Sequence, residues 1–264
     1  MFDISVVIPT YQRPQMLQRL LHSVAHQTLQ PVEVLVVDDG SDCFASNTSV
    51  IEKYQDTLPI RYIYNSPNRG ACHARNHGIS LANGNWIALV DDDDEWMPTK
   101  LEKKVERLKS CSNEVGIIYT WANVIRENMV VHQYKANHEG KKIRRLLDEC
   151  FIPSPTVLVK TASLQEAGLF DETLPSCQDW DMWTRIMLCG YACAVVPSVQ
   201  AIYHQHTAPT IGKTDKEGRG LRMFYEKHRT LYWKYHPIKS VKNGVKRRLS
   251  SWLSDSFGAV YDNR

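Results

Sequence analysis

The sequence predicts an α/β fold: a mostly parallel, Rossmann-like central sheet flanked by helices, with a helical extension at the C-terminus. Three observations lead there. Short apolar β-rich runs alternate with helix-period segments through the first 110 residues. Two of those runs end in carboxylates, at Asp38-Asp39 and at Asp91-Asp92-Asp93-Asp94. From residue 221 onward, ten Lys/Arg stand against three Asp/Glu, whereas the rest of the chain is net acidic.

Residues 4–8 (ISVVI) form a buried strand closed by Pro9, and Thr10-Tyr11-Gln12-Arg13 follows as a loop. Pro14 opens a helix, a good position for a residue without an N–H. Its Leu17, Leu20, Leu21 and Val24 share one face. Residues 32–37 are the next strand, so the unit is a right-handed crossover between parallel strands. A short helix over 49–55 and a strand over 60–64 come next. A helix then opens near Asn68 and runs to about Ala82, where Asn83-Gly84-Asn85 stops it.

The strand WIALV at 86–90 leads straight into the four aspartates. Glu95-Trp96-Met97-Pro98 is expected to start a helix that continues to Ser110 with Leu101, Val105 and Leu108 inward. The second half is less regular. Strands are expected over 115–120 and 130–134, a helix over 141–150, a strand over 153–159 and a short helix over 161–167. A helix begins near Asp179, and two further strands cover 191–196 and 201–206. Residues 207–220 have no period and are expected to be a mobile loop.

Four adjacent carboxylates repel one another unless something positive sits among them. No protein cation is identifiable from the sequence as the partner of Asp93. Hard divalent cations take oxygen ligands, and Mg²⁺ or Mn²⁺ is commonly held by one or two carboxylates plus substrate phosphates. In open α/β sheets ligands bind beyond the carboxyl ends of the strands, where this run lies. A metal–diphosphate site is therefore expected, against the plainer alternative of a solvated acidic turn.

The composition closes off other classes. There is no GxGxxG and no Walker-type lysine loop, against dinucleotide oxidoreductases and P-loop enzymes. The seven cysteines are scattered and odd in number, as in a reduced cytosolic compartment. No basic n-region opens the chain, and no apolar run approaches the about 20 residues of a membrane span.

The pieces SVVIPTYQRP, VEVLVVDDGS, RGACHARNHGI, WIALVDDDDEWMP, GLFDE and CQDWDMWTRI occur in order between residues 4 and 206. In that order the chain resembles the family 2 inverting glycosyltransferases with the GT-A fold, bacterial surface-polysaccharide type. The resemblance implies a glycosyltransferase domain over 1–206, with nucleotide-sugar binding in 1–110 and acceptor binding in 111–206. It implies that Pro9 and Tyr11 hold the uracil, Tyr11 by stacking worth about 1–3 kcal/mol. Asp39 would accept from the uracil N3–H, and Arg75 would hold base or diphosphate. Asp93 would bind Mn²⁺ or Mg²⁺, with Asp91 or Asp92 on ribose and metal-bound water. The register within the four aspartates stays open by one.

An acceptor hydroxyl needs a general base. The family places it in a Glu-Asp pair before a helix. Here the pair is Gln178-Asp179, so the first carboxylate is absent; Asp179 is the expected base and Asp181 the fallback. His206 would be a third metal or diphosphate ligand, with His204 its competitor. The implied partners are a UDP-sugar donor and a glycan acceptor carried on undecaprenyl diphosphate, in polysaccharide or O-antigen synthesis. The other readings are a sugar-nucleotide-binding relative acting as an interaction module, and a nucleotidyltransferase.

The basic extension, 221–264, implies an anionic partner. From Val241 the residues Val241, Val245, Leu249, Trp252 and Leu253 fall on one helical face, with Lys242, Lys246, Arg247 and Arg248 largely off it. Tyr232, Trp233, Tyr235 and His236 form an aromatic cluster upstream. A basic amphipathic helix with Trp suits a membrane surface. The expected location is therefore cytoplasmic, peripheral on the inner face of the plasma membrane, with no nucleic-acid partner. A closing helix packed on the domain would show the same stripe.

Overall fold

The computed structural model describes residues 2–205 and 218–236. The chain divides into two compact units, Met1–Gly220 and Leu221–Arg264. The first holds a mixed sheet of β1 (Ile4–Thr10), β2 (Glu33–Asp38), β3 (Ile60–Tyr64), β4 (Trp86–Leu89), β5 (Asp94–Trp96), β6 (Val115–Arg126), β7 (Met129–Tyr134), β8 (Leu158–Lys160) and β9 (Ala192–His204), in the order β3-β2-β1-β4-β8-β6-β9-β5 with β7 beside β6.

Strand β1 (Ile4–Thr10) is buried at every residue, and so is β2 (Glu33–Asp38). Both lie inside the sheet with a helix layer on each face, which is why their sequences run apolar without alternation. Strands β2, β3 (Ile60–Tyr64) and β4 (Trp86–Leu89) extend the parallel region on both sides of β1. The chain steps outward from β1 to β2 to β3 through α1 (Pro14–Ala25) and α2 (Phe44–Glu52). It then returns through α3 (Ala71–Leu81) to the other side of β1. Right-handed crossovers in opposite directions put α3 on the face opposite α1 and α2. The reversal makes the β1–β4 boundary a topological switch point, where such sheets leave a crevice for ligands. Gly78 lets α3 lie close on β1, since a Cβ there would meet Val7 Cγ1 at 2.5 Å.

Several expectations change here. α2 begins at Phe44 rather than 49. Residues Asp94–Trp96 form β5, not the start of a helix, because they pair antiparallel with Ala201, Ile202 and Tyr203. α4 therefore starts later, at Lys100, and ends at Lys109. Strand β6 (Val115–Arg126) is twice the expected length and makes a hairpin with β7 (Met129–Tyr134). The helix expected over 141–150 shortens to α5 (Ile143–Asp148). The strand expected over 153–159 is a 3₁₀ turn, Ser154–Thr156, then a short β8 (Leu158–Lys160). Its two prolines remove the N–H donors a ladder would need.

The two strands expected over 191–196 and 201–206 are one, β9 (Ala192–His204), which absorbs Pro197 at irregularities in its pairing with β6. Helices α6 (Thr161–Glu166) and α7 (Gln178–Leu188) come before it. The loop expected over 207–220 already turns helical at Arg219, the first residue of α8 (Arg219–Lys227). Helix α9 (Arg229–Tyr235) follows. Within the second unit the Tyr225 and Tyr232 rings meet at a tilt of 51° with centroids 4.8 Å apart, and Trp233 is exposed. The amphipathic segment from Val241 lies outside the described residues, as does His206. No helix among the described residues is long and apolar enough to cross a membrane. All seven cysteines are free thiols.

Candidate active site

The site is built on the switch point. Thr10 ends β1 and its Oγ1 donates to Asp92 Oδ2 at 2.7 Å, across the boundary with β4. Arg13, between the left-handed Gln12 and Pro14, donates to Asp92 at 3.3 Å and Asp93 at 3.0 Å. Arg19 of α1 donates to the Asp93 carbonyl at 2.6 Å. Asp93 thus has a protein cation beside it after all. The sequence could not show that pairing, because 80 residues separate the partners.

Ligand oxygens of Asp91, Asp93 and Asp94 lie within 4.8 Å of one another. Asp92 instead turns onto Thr10 and Arg13 and is buried. Burial pushes its carboxyl up to about 7, with Asp93 adding to the rise and Thr10 and Arg13 opposing it. Asp94 is 1% exposed and neither carboxylate oxygen has a hydrogen-bond partner among the described residues. Its desolvation, with Asp93 and Asp91 nearby, holds its carboxyl well above the usual range. A buried carboxylate without a donor is costly unless a cation compensates it. The cluster's all-oxygen chemistry and this orphaned carboxylate fit a hard divalent cation. Asp94 was not singled out in the sequence; the pleat of β5, which alternates buried Asp94, half-exposed Glu95 and buried Trp96, aims it inward.

Below this cluster Lys100 is fully buried, with Nζ bonded to the Pro155 carbonyl at 2.5 Å and 3.7 Å from the Trp96 ring centroid. Desolvation, with Lys104 nearby, holds its amine well below the usual lysine range.

The nucleotide-side candidates come together on the β1 and β2 ends. Pro9 is buried in β1 opposite Val37. Tyr11 is 46% exposed, so its ring is open to a stacking partner. Its loop is held from below: Asp38 accepts from Ser41 N, Asn47 Nδ2 and Tyr62 OH, and Ser41 Oγ accepts from Gln12 N at 2.8 Å. Asp38 is therefore a structural anchor. Asp39 accepts from the backbone N–H groups of Arg69 and Gly70, the latter at 2.6 Å. It fixes the start of α3.

Arg75 of α3 ties the two sides of the cleft. Its Nη2 donates to Asp91 Oδ1 at 2.5 Å and its Nη1 to Gln178 Oε1 at 3.2 Å. Its guanidinium also covers Phe170 at 5.5 Å. Gln178, the first residue of α7, meets Arg75 as a neutral amide. Reciprocal bonds between Asn76 and the Phe170 backbone lock α3 to the GLFDE segment. Glu172 there takes His73, Asn76 and Arg69.

Asp179 sits in the first turn of α7 and accepts from Trp180 N at 2.9 Å. It is half-buried. Desolvation raises its carboxyl above the ordinary value; Trp180 N–H and Arg75 oppose the rise, and Asp91 adds to it. A raised pKa is what a general base at neutral pH requires. α7 is held in place by Trp180 Nε1 on the Leu146 carbonyl and Trp183 Nε1 on the Ile152 carbonyl. Asp181, the fallback, is closed off from solvent and paired with Arg185 at 2.8 Å. His204 Nε2 lies 2.9 Å from Glu95 Oε2.

Residues 5–168 match the model of glycosyl transferase family 2. The chain is 30% identical over 234 residues to Escherichia coli K12 WcaA, named for colanic acid biosynthesis, across 87% of this chain and 82% of WcaA. It is 30% identical over 214 residues to the amylovoran biosynthesis glycosyltransferase AmsB of Erwinia amylovora, across 78% of this chain and 70% of AmsB. A longer Rickettsia conorii glycosyltransferase, RC0461, is 30% identical over 189 residues, which are 31% of its length. Among solved structures, S. aureus TarS 1-349 in complex with UDP-GlcNAc superposes with a TM-score of 0.67 at 20% identity, covering 98% of this chain and 81% of TarS 1-349. The fold is thus GT-A, and the chain belongs to glycosyl transferase family 2 and is a glycosyltransferase.

Proposed function

We propose that this enzyme moves a sugar from a UDP-sugar to a hydroxyl of a growing bacterial glycan, with inversion and with a divalent cation, Mn²⁺ or Mg²⁺. The observation that carries the reading is Arg75, which joins the carboxylate cluster through Asp91 to the segment bearing Asp179 through Gln178. That link supports donor-phosphate chemistry and acceptor-hydroxyl chemistry in one cleft. TarS has been crystallised with UDP and with UDP-GlcNAc, which supports a uridine donor for this fold. The names of WcaA and AmsB support polysaccharide synthesis.

Tyr11 offers the stacking face for the base, and Asp39 keeps the neighbouring loop in place. Asp91, Asp93 and Asp94 would hold the cation, which when bound neutralises charge on the leaving diphosphate. Asp179 takes the acceptor proton as the hydroxyl oxygen bonds to the anomeric carbon, and the bond from that carbon to the UDP oxygen breaks. A single displacement with one base inverts the anomeric centre. The acceptor is proposed to be carried on undecaprenyl diphosphate, reached from the cytoplasmic leaflet through the basic C-terminal segment. A screen of UDP-sugars that measures released UDP tests the donor and metal: release with Mn²⁺ and none with EDTA is expected. Binding without turnover for every donor and acceptor would instead mark an interaction module.

A further inference from the structure

We propose that Arg13 is an exchangeable counter-ion of the carboxylate cluster: it competes with the divalent cation for Asp93, and turns to the donor diphosphate when cation and donor bind. The inference rests on the metal-dependent reading above.

The bonds of Arg13 to Asp92 and to Asp93 are not equivalent. Asp92 is clamped, since Thr10 holds its other oxygen at 2.7 Å and its side chain is 5% exposed. Asp93 is one of the three carboxylates that converge, and it accepts from Arg13 Nη1 at 3.0 Å. The Asp92 contact anchors the guanidinium and the Asp93 contact is the one to exchange. The Arg13 side chain keeps 30% exposure, more than either partner, so it sits at the mouth of the cluster.

Its backbone has little freedom. Gln12 is left-handed and tied to Ser41, Pro14 opens α1, and the Arg13 carbonyl accepts from Leu17 N at 3.0 Å. Any movement therefore belongs to the side chain. Arg75 differs: it is 7% exposed and spread over Asp91, Gln178 and Phe170, so it has nowhere to swing.

A carboxylate that takes on a dication beside a guanidinium brings two positive groups together, and each weakens the other's hold. The planar fork of arginine matches two phosphate oxygens, which a lysine ammonium does not. The released guanidinium would stay within reach of a diphosphate bound at the same aspartates.

The test compares the intact protein with Arg13→Gln and Arg13→Lys, each checked by circular dichroism melting. Mn²⁺ alone is titrated by electron paramagnetic resonance, and UDP is titrated calorimetrically at saturating Mn²⁺. Arg13→Gln should tighten Mn²⁺ about three- to tenfold and weaken UDP about tenfold. Arg13→Lys keeps the charge, so Mn²⁺ affinity should stay near wild type while UDP weakens. If Arg13→Gln weakens Mn²⁺ or leaves it unchanged, the competition is overturned. If Arg13→Gln does not fold, wild-type UDP affinity in Arg13→Lys overturns the transfer to diphosphate. A wild-type protein that binds no Mn²⁺ refutes the metal-dependent reading itself, an outcome distinct from the Arg13 pattern.

Discussion

Arg75 Nη2 donates to Asp91 Oδ1 at 2.5 Å, and this pair links α3 to the loop after β4. Arg75 is almost fully buried, whereas the Asp91 side chain keeps 34% exposure. Removing one member of such a pair leaves the other uncompensated. Arg75→Met should lower stability by about 1–3 kcal/mol, below the range for fully buried pairs because Asp91 is part-solvated. Adding Asp91→Asn to Arg75→Met should recover part of the loss in urea unfolding. Strictly additive losses would show that the two residues do not interact.

Asp93→Ala should abolish transfer and weaken UDP-sugar binding while the protein still folds. Its side chain keeps some exposure, 13%, and Arg13 keeps Asp92 as a partner. UDP release and far-ultraviolet circular dichroism would be measured together. Near-normal turnover in the variant with EDTA present would remove the metal from the mechanism.

Asp179→Asn keeps the shape of the side chain and removes its basicity. Turnover should fall about 10²–10⁴-fold with donor affinity little changed. The same residue sets a pH limb. A base works only when ionised, and desolvation places this carboxyl above the ordinary aspartate value. Activity should therefore fall as pH drops through a pKa above that value, at higher pH than a solvated aspartate would give. A comparable loss in Asp181→Asn with none in Asp179→Asn would move the base to Asp181.

Deleting residues 241–264 should lower binding to anionic liposomes and spare activity on a short soluble acceptor analogue. Each Lys or Arg near anionic lipid contributes about 1 kcal/mol, so Lys242, Lys246, Arg247 and Arg248 together suffice for reversible attachment. Flotation at low salt measures the binding. Unfolding of the truncated chain would make the segment structural, and an intact protein that ignores liposomes would end the membrane reading.

By itself the sequence determined the parallel core of β1 to β4, the acidic ends of β2 and β4, and the start of α7 near Asp179. These are local signals: apolar runs, helical periods, and prolines and glycines at boundaries. They show which residues stand at strand ends, because a strand end is a property of a few neighbours. The division of labour among the four aspartates was decided by tertiary structure. Identical side chains in a row carry no local distinction. Placing β4 beside β1 gives Asp92 to Thr10 and Arg13, and pairing β5 with β9 turns Asp94 inward. The same holds for Gln178 on Arg75, 103 residues away. The helix expected at Glu95 became a strand because Ala201, Ile202 and Tyr203 offered ladder partners that no window around residue 95 contains. Charge pairing in this site follows from strand order, and strand order follows from the packing of the whole sheet.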